Sequence, residues 1–402
     1  MEISHKEVEM AKEALVGITH RTPLDFSNTF SRLTGSNVYL KLENLQRTGS
    51  FKVRGAYWKI ANLNDNEKKK VIAASAGNHA QGTAYAASRL GIPCTIVMPE
   101  TASTAKVAAT SSYGASIVLA GTNFEAALSE AEELAKRSSA TMIHPFDDPY
   151  VISGQGTVGL EIIEEVNDID VIVVPIGGGG LAAGTAIALK ENHPGVKIIG
   201  VQSDAMTSMI ESKKAKRITE VTSKRTIADG IAVKAPGEIT FKLVDKYVDQ
   251  ILTVTDDEIA EAMFLLLERS RIVAEPAGAA APAALISNKI DLEGKKVAAV
   301  VSGGNVDMPL MNQLVTRGLI KAGRIVRLIF ELQDRPAALK EVLDVIGSRN
   351  VNVLDVQQDR LNKRIGLGPV DVLISMETKS REHTDEMFKT LDSRGLSYRH
   401  IE

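Results

Sequence analysis

The chain has 402 residues, enough for about two or three domains rather than a single core. Hydrophobic residues make up 44% and charged residues 24%, the balance of a globular protein and not of a disordered one. Lys plus Arg number 47 against 50 Asp plus Glu, a net charge of -3, which excludes a chain-wide basic footprint for nucleic acid. A lone cysteine, Cys94, excludes an internal disulfide and a zinc site built from several cysteines.

The opening MEISHKEVEMAKEAL is charged and amphipathic, unlike a signal or transit peptide, so the expected setting is cytoplasmic. QRTGSFKVRGA then places Lys52 beside Phe51 and Arg54, with Gly49 and Gly55 letting the chain turn tightly. Alone, Lys52 reads as a solvated surface residue. An apolar face and a nearby cation would depress its pKa, and a partly neutral lysine is the kind used to form Schiff bases.

KKVIAA reads as a strand running into Ser75-Ala76-Gly77-Asn78-His79 and the small-residue helix HAQGTAYAASRLG. Ser75 and Asn78 suit a helix N-cap; with exposed N–H groups they equally suit a bound carboxylate. His79 by itself reads as a structural histidine, and no motif makes it a metal ligand.

Residues 171–189, VIVVPIGGGGLAAGTAIAL, hold no charge and have the length of a membrane span. Five glycines and a proline after a β-branched run favour strand, turn and helix instead. Gly177, Gly178, Gly179 and Gly180 would present successive N–H groups ahead of a helix, an anion cradle that favours phosphate over an empty turn. A competing ligand is a dinucleotide, because Gly178, Gly180 and Ala183 fit G-x-G-x-x-A and Asp204 ends the next strand candidate.

KKVAAVV leads into Ser302-Gly303-Gly304-Asn305, where Ser302 and Asn305 also fit plain turn positions. Three glycine-rich loops at strand carboxyl ends imply a shared site in an α/β architecture with a largely parallel sheet. Beyond a boundary in 317–324 the pattern becomes RIVRLIFEL, DRPAALKEVLDVIGSRN, VNVLDVQQDRL, PVDVLISMET, SREHTDEMFKTLDSRG and LSYRHIE. That is β-α-β-β-α-β, a ferredoxin-like unit and a separate domain, with Pro336 near a helix start.

Gly49 to Ala56, Ser75 to Gly82, the glycine tetrad and Ser302 to Asn305 together resemble the threonine dehydratases (threonine ammonia-lyases). These are two-lobed, tryptophan-synthase-β-like, fold-type-II pyridoxal 5'-phosphate enzymes. The motifs run in family order through residues 1–318, and 324–402 is similar to an ACT domain, a regulatory amino-acid-binding module. The resemblance implies a small lobe at roughly 50–145 inserted in the larger one. It also implies a homo-dimer or homo-tetramer.

By the same resemblance Lys52 would carry the cofactor, Phe51 would pack on its ring and Asn78 would bond the ring hydroxyl. Gly177, Gly178, Gly179, Gly180 and Leu181 would hold its phosphate through backbone N–H groups, and Ser302 would meet the pyridine nitrogen. Ser75, Ala76, Gly77, Asn78 and His79 would grip the substrate carboxylate, mostly through main chain; Gly230 and Glu275 would be further pocket residues. The implied reaction turns L-threonine into 2-oxobutanoate and ammonia, and L-serine more weakly into pyruvate, feeding isoleucine biosynthesis.

The chain departs from its relatives at three places. Ala76 stands where related serine racemases carry a second serine, which favours dehydration over racemisation. Gln202 and Ser208 stand where those racemases hold a divalent ion with acids, so no metal is expected, although Asp204 lies between them. Asp334-Arg335-Pro336-Ala337 replaces the ACT pattern D-x-P-G, and Ala337 would narrow the approach to an isoleucine or valine effector site. The alternative is a domain that joins subunits through sheet edges. Rival functions are a serine or hydroxyaspartate enzyme of the same fold, a nicotinamide-dependent dehydrogenase and a non-catalytic amino-acid sensor.

Overall fold

A computed structural model describes residues 3–222, 224–359 and 369–401. The chain separates into two compact units, Met1–Asp307 and Met308–Glu402. The sequence reading puts the boundary in 317–324, where the pattern of the chain changes. That stretch begins inside the helix Met308–Lys321, which counts with the second unit.

The first unit holds two sheets. The larger runs Leu24–Phe26, Asn37–Leu42, Lys296–Val301, Val171–Pro175, Lys197–Ser203 and Gln250–Val254, parallel except for the first pair. The smaller, all parallel, runs Ser116–Leu119, Cys94–Met98, Val71–Ala74 and Thr141–Met142. The chain enters the smaller sheet after Asn37–Leu42 and returns to the larger at Val171, so the smaller sheet is an insertion. Val171–Pro175 and Cys94–Met98 are buried throughout, as parallel strands covered by helices on both faces must be.

The helix Pro149–Glu165 starts at Pro149 behind an Asp148 cap, whose carboxylate accepts the N–H groups of Tyr150 and Val151. It is buried without a break from Val151 to Ile163, the mark of a helix enclosed on every side. Two glycines let its backbone touch its neighbours. A Cβ at Gly154 would lie 2.8 Å from the Gly55 Cα of the helix Lys52–Ala61. One at Gly156 would lie 2.6 Å from the Gly184 carbonyl oxygen of the helix Gly180–Lys190.

The apolar run at 171–189 is thus a buried strand, a loop and a buried helix. Among the described residues no helix is long and apolar enough to cross a membrane.

The second unit has the order Ile325–Gln333, Ala338–Ser348, Asn352–Asp359, Pro369–Glu377, Arg381–Ser393 and Tyr398–His400. Its antiparallel sheet places the two central strands, Ile325–Gln333 and Pro369–Glu377, between Tyr398–His400 and Asn352–Asp359. Val326, Leu328, Phe330 and Leu332 alternate onto the buried face and pack with Val342 and Ile346. Arg360 and Leu361, the end of the second strand expected from the sequence, lie outside the described residues, as does Glu402.

Candidate active site

Lys52 heads the helix Lys52–Ala61, and the segment before it is pinned to the carboxyl end of Lys296–Val301. Ser50 bridges to Gly303, and the Phe51 N–H donates to the Ser302 carbonyl at 3.2 Å. The half-buried Lys52 amine donates to the Pro145 carbonyl at 2.7 Å and stands 5.2 Å from the Phe51 ring centroid. Burial lowers its pKa to about 8, against the opposing pull of the Glu275 carboxyl.

Arg54 does not produce that shift, contrary to the sequence reading. Its guanidinium is buried and bonded to Glu43 and Glu161, the nearest pairs at 2.7 and 2.6 Å. The fully buried Lys41 also contacts Glu161, at 2.8 Å. Those carboxylates cancel the field Arg54 would otherwise exert on the amine.

The second loop follows Val71–Ala74. Gly77, not Ser75 or Asn78, occupies the N-cap position of the helix Asn78–Arg89, and no side chain caps that start. The Ser75 hydroxyl accepts the Gly77 N–H at 3.2 Å, and Ala76 adds only a methyl. Asn78 is left to bond across the site. Its Nδ2 donates to Glu275 Oε1 at 2.5 Å and its Oδ1 accepts from Asn305 at 2.7 Å.

The His79 side chain turns away from this loop and donates from Nε2 to the Ile143 carbonyl at 2.8 Å. Burial and the Lys52 charge push its pKa down to about 3, so it stays neutral.

Glu275 caps the helix Pro276–Ile286 and is 8% exposed. Burial raises its pKa to about 7; the Asn78 bond opposes this rise and the Asp229 charge adds to it. Ser302 is buried, and among the described residues its hydroxyl has only a long 3.5 Å contact to the Ala277 carbonyl. Gly230 lies in the turn Asp229–Ile231, where a Cβ would come 2.9 Å from that of Ala277.

The third loop is the glycine tetrad. Gly179 has φ +98°, a left-handed conformation that suits glycine, and caps the helix Gly180–Lys190 with no side-chain bond. A Cβ at Gly178 would enter the Phe146 ring, and one at Gly180 would come 3.1 Å from the Phe146 Cβ. Gly177 packs beside Ile231. Thr240 holds the loop from behind, donating to the Gly178 carbonyl at 2.6 Å. The loop therefore ends in Gly180 and Leu181 as a bare helix start, the arrangement that receives an anion.

All three loops and Lys52 belong to one place: Asn78 meets Glu275, Gly303 meets both, and the segment holding the Lys52 amine continues as Phe146 onto the tetrad. Sequence reasoning missed Pro145 and Phe146, whose short stretch has no periodic or glycine-rich signal, and read Asn305, inside a glycine-rich loop, only as a turn residue. It also missed Lys106, which pairs with Asp307 at 3.2 Å and Asp229 at 3.7 Å.

The stretch in which related racemases hold a divalent ion has Gln202 and Ser208 in internal bonds. Gln202 accepts the Ile210 N–H at 3.0 Å, and the Ser208 hydroxyl donates to the Val233 carbonyl at 2.7 Å. Among the described residues, no three His, Cys, Asp or Glu side chains gather as a metal set.

A family model described as pyridoxal-phosphate dependent enzyme matches residues 17–303. L-threonine ammonia-lyase of Thermotoga maritima is 47% identical over 398 residues, 99% of each chain. Among solved structures, maize serine racemase superposes with a TM-score of 0.75 at 34% identity, covering 80% of this chain and 99% of its own. The processed form of threonine deaminase isoform 2 from Solanum lycopersicum gives 0.73 at 36%, covering 77% and 93%.

Proposed function

Because this chain belongs to the pyridoxal-phosphate-dependent enzymes, we propose that it deaminates L-threonine to 2-oxobutanoate and ammonia, and L-serine more slowly to pyruvate. The observation that carries the reading is Lys52, a lysine amine with a pKa near 8 set among three loops, two of which open into helix starts that no side chain caps. The likeness along both full chains to the Thermotoga maritima enzyme supports threonine as substrate.

The residues suit the cofactor. The tetrad leaves a side-chain-free helix start for a phosphate, bounded by Phe146, and the Ser302 hydroxyl has no strong partner of its own. Gly177 to Leu181 would hold the phosphate, Lys52 the aldehyde carbon, Phe51 and Gly230 the faces of the ring, Asn78 its hydroxyl and Ser302 its nitrogen, with Glu275 behind Asn78. When bound, pyridoxal phosphate supplies an electrophilic carbon for amines and an electron sink for charge developing at the substrate Cα.

Residues 75–79 orient the substrate carboxylate with main-chain N–H groups at an uncapped helix start. Lys52, neutral in a useful fraction at pH 7, removes the Cα proton. The electron pair of that C–H bond becomes the Cα–Cβ double bond, while the Cβ–O bond breaks and the hydroxyl departs as water with the proton that Lys52 has taken up. The released enamine tautomerises, adds water and loses ammonia, which gives 2-oxobutanoate. Ser302 is neutral and, with the cofactor bound, would not hold a proton on the ring nitrogen as a carboxylate would, which would favour prompt elimination over reprotonation.

A second reading, serine racemisation, draws on the likeness to maize serine racemase. Ala76 weighs against it, since it offers no hydroxyl as a base on the opposite face. The proposal places the enzyme in cytoplasmic amino-acid metabolism, on the route to isoleucine, as a homo-dimer or homo-tetramer. It gives the second unit an ACT-like regulatory role. There a cavity of about 430 Å³ is lined by Asn350, Asn352, Glu377, Thr378 and Lys379, polar groups suited to an amino acid. Titration of the whole protein with isoleucine and valine tests that role; no heat and no kinetic change would remove it.

The test of the main reading is direct. Purified protein with pyridoxal phosphate and L-threonine should release 2-oxobutanoate and ammonia at matched rates, and Lys52→Ala should abolish both. A borohydride-reducible bound cofactor with no keto acid from threonine would overturn the substrate and move it to serine or a hydroxylated acidic amino acid.

A further inference from the structure

Gln155 is 1% exposed in the middle of the helix Pro149–Glu165, yet neither its Oε1 nor its Nε2 has a hydrogen-bond partner among the described residues. Buried amides are nearly always satisfied, and one left with both ends unpaired calls for a physical reason. Its surroundings supply one. A Cβ at Gly55, three residues beyond Lys52, would lie 3.0 Å from Gln155 Cγ, so a glycine makes room for the stem. A Cβ at Gly180 would lie 2.6 Å from Gln155 Oε1, so a second glycine makes room for the head. The side chain therefore passes the helix of the candidate catalytic lysine and ends at the first residue of the helix that follows the glycine loop. That helix start has no side-chain cap.

We propose that Gln155 is a further ligand of the phosphate seated on Gly177–Gly180, donating from Nε2 to a phosphate oxygen. The amide turns so that its nitrogen faces Gly180, which needs no change of shape because the two ends of the group are nearly isosteric. A bond from an amide to an anion is charge-assisted, and a neutral donor adds it without bringing a second charge to desolvate. The inference rests on the family's cofactor and is independent of which amino acid the enzyme deaminates.

The test uses the full-length apo-protein and three readouts: affinity for pyridoxal phosphate, affinity for pyridoxal, and thermal melting. Pyridoxal keeps the aldehyde and lacks the phosphate. Gln155→Leu should weaken pyridoxal phosphate about tenfold, the loss of one charge-assisted bond, and leave pyridoxal unchanged. Its apo-form should melt no lower than the wild type, since no protein bond is lost. Gln155→Glu should weaken pyridoxal phosphate more than Gln155→Leu through like-charge repulsion, again sparing pyridoxal. Gln155→Met is a second volume-conserving variant should Gln155→Leu fail to fold. Equal losses for the two ligands, or full affinity for pyridoxal phosphate in Gln155→Leu, would overturn the assignment. A wild-type protein that binds neither ligand would instead overturn the cofactor reading itself.

Discussion

Asn78 and Glu275 are 197 residues apart in the chain, and the amide nitrogen of one donates to the carboxyl of the other at 2.5 Å. The bond ties the loop after Val71–Ala74 to the start of the helix Pro276–Ile286, so each lobe supplies one member of the pair.

Glu275 carries a pH signature. Its pKa rises from 4.5 to about 7 on folding, so between those values the native protein binds more protons than the unfolded chain. Stability must therefore fall as pH climbs through that window, by on the order of 2–3 kcal/mol. Glu275→Gln should remove this slope. Urea unfolding of the apo-protein at pH 5 and pH 8, with and without the substitution, measures it.

His79 has the opposite sign. Its pKa drops from 6.5 to about 3, so in that range the unfolded chain binds more protons and stability is lost as pH falls. His79→Gln should flatten this acid limb. It should also cost about 1–3 kcal/mol near neutrality if its amide misses the Ile143 carbonyl. Thermal melts from pH 4 to pH 8 separate the two effects.

Capture of the cofactor should follow the ionisation of Lys52. The association rate of pyridoxal phosphate with the apo-protein should rise with a midpoint near pH 8, where an ordinary lysine would rise near 10.5. Stopped-flow absorbance reads this, and a midpoint above pH 10 would contradict the burial of the amine.

Gly178→Ala would place a methyl group in the space of the Phe146 ring. The variant should lose about 1–3 kcal/mol of stability, together with cofactor affinity. Adding Phe146→Leu should recover part of both. Melting and cofactor titration of the single and double variants form the cycle that checks it.

Ala337 sits at φ +69°, ahead of the helix Ala338–Ser348, in the left-handed region that glycine favours. Ala337→Gly should relieve that strain and stabilise the unit by a few tenths to about 1 kcal/mol, the flexibility of glycine offsetting part of the gain. Hydrogen exchange of the amides in Ala338–Ser348 should slow accordingly.

The legible part of the site shares one physical trait. At Gly178, Gly179 and Gly303 the backbone tolerates no Cβ or needs a positive φ, and such demands write themselves into short contiguous runs. Lys52 was legible because it lies inside such a run. The alternating strands of the second unit were legible for their period of two, each buried face repeating at every other residue.

What stayed hidden depends on partners far along the chain. Arg54 looks like a cation beside the lysine until Glu161, 107 residues away, neutralises it. Gln155 looks like any polar residue on a buried helix, because its meaning lies in two glycines on other elements. The division at Asp307 was hidden because the helix Met308–Lys321 precedes the change of pattern near 320 yet counts with the second unit.

The helix Pro149–Glu165 touches the lysine's helix at Gly154 and the tetrad's helix at Gly156, backbone against backbone. A contact without side chains has no rotamers to adjust, so the span from the amine to the helix start behaves as a caliper locked at one setting. Any molecule that engages both ends must carry its electrophilic carbon and its anion at that one separation. Aldehydes with a longer or shorter tether would reach only one jaw, and the protein would choose its prosthetic group by length before it reads the ring.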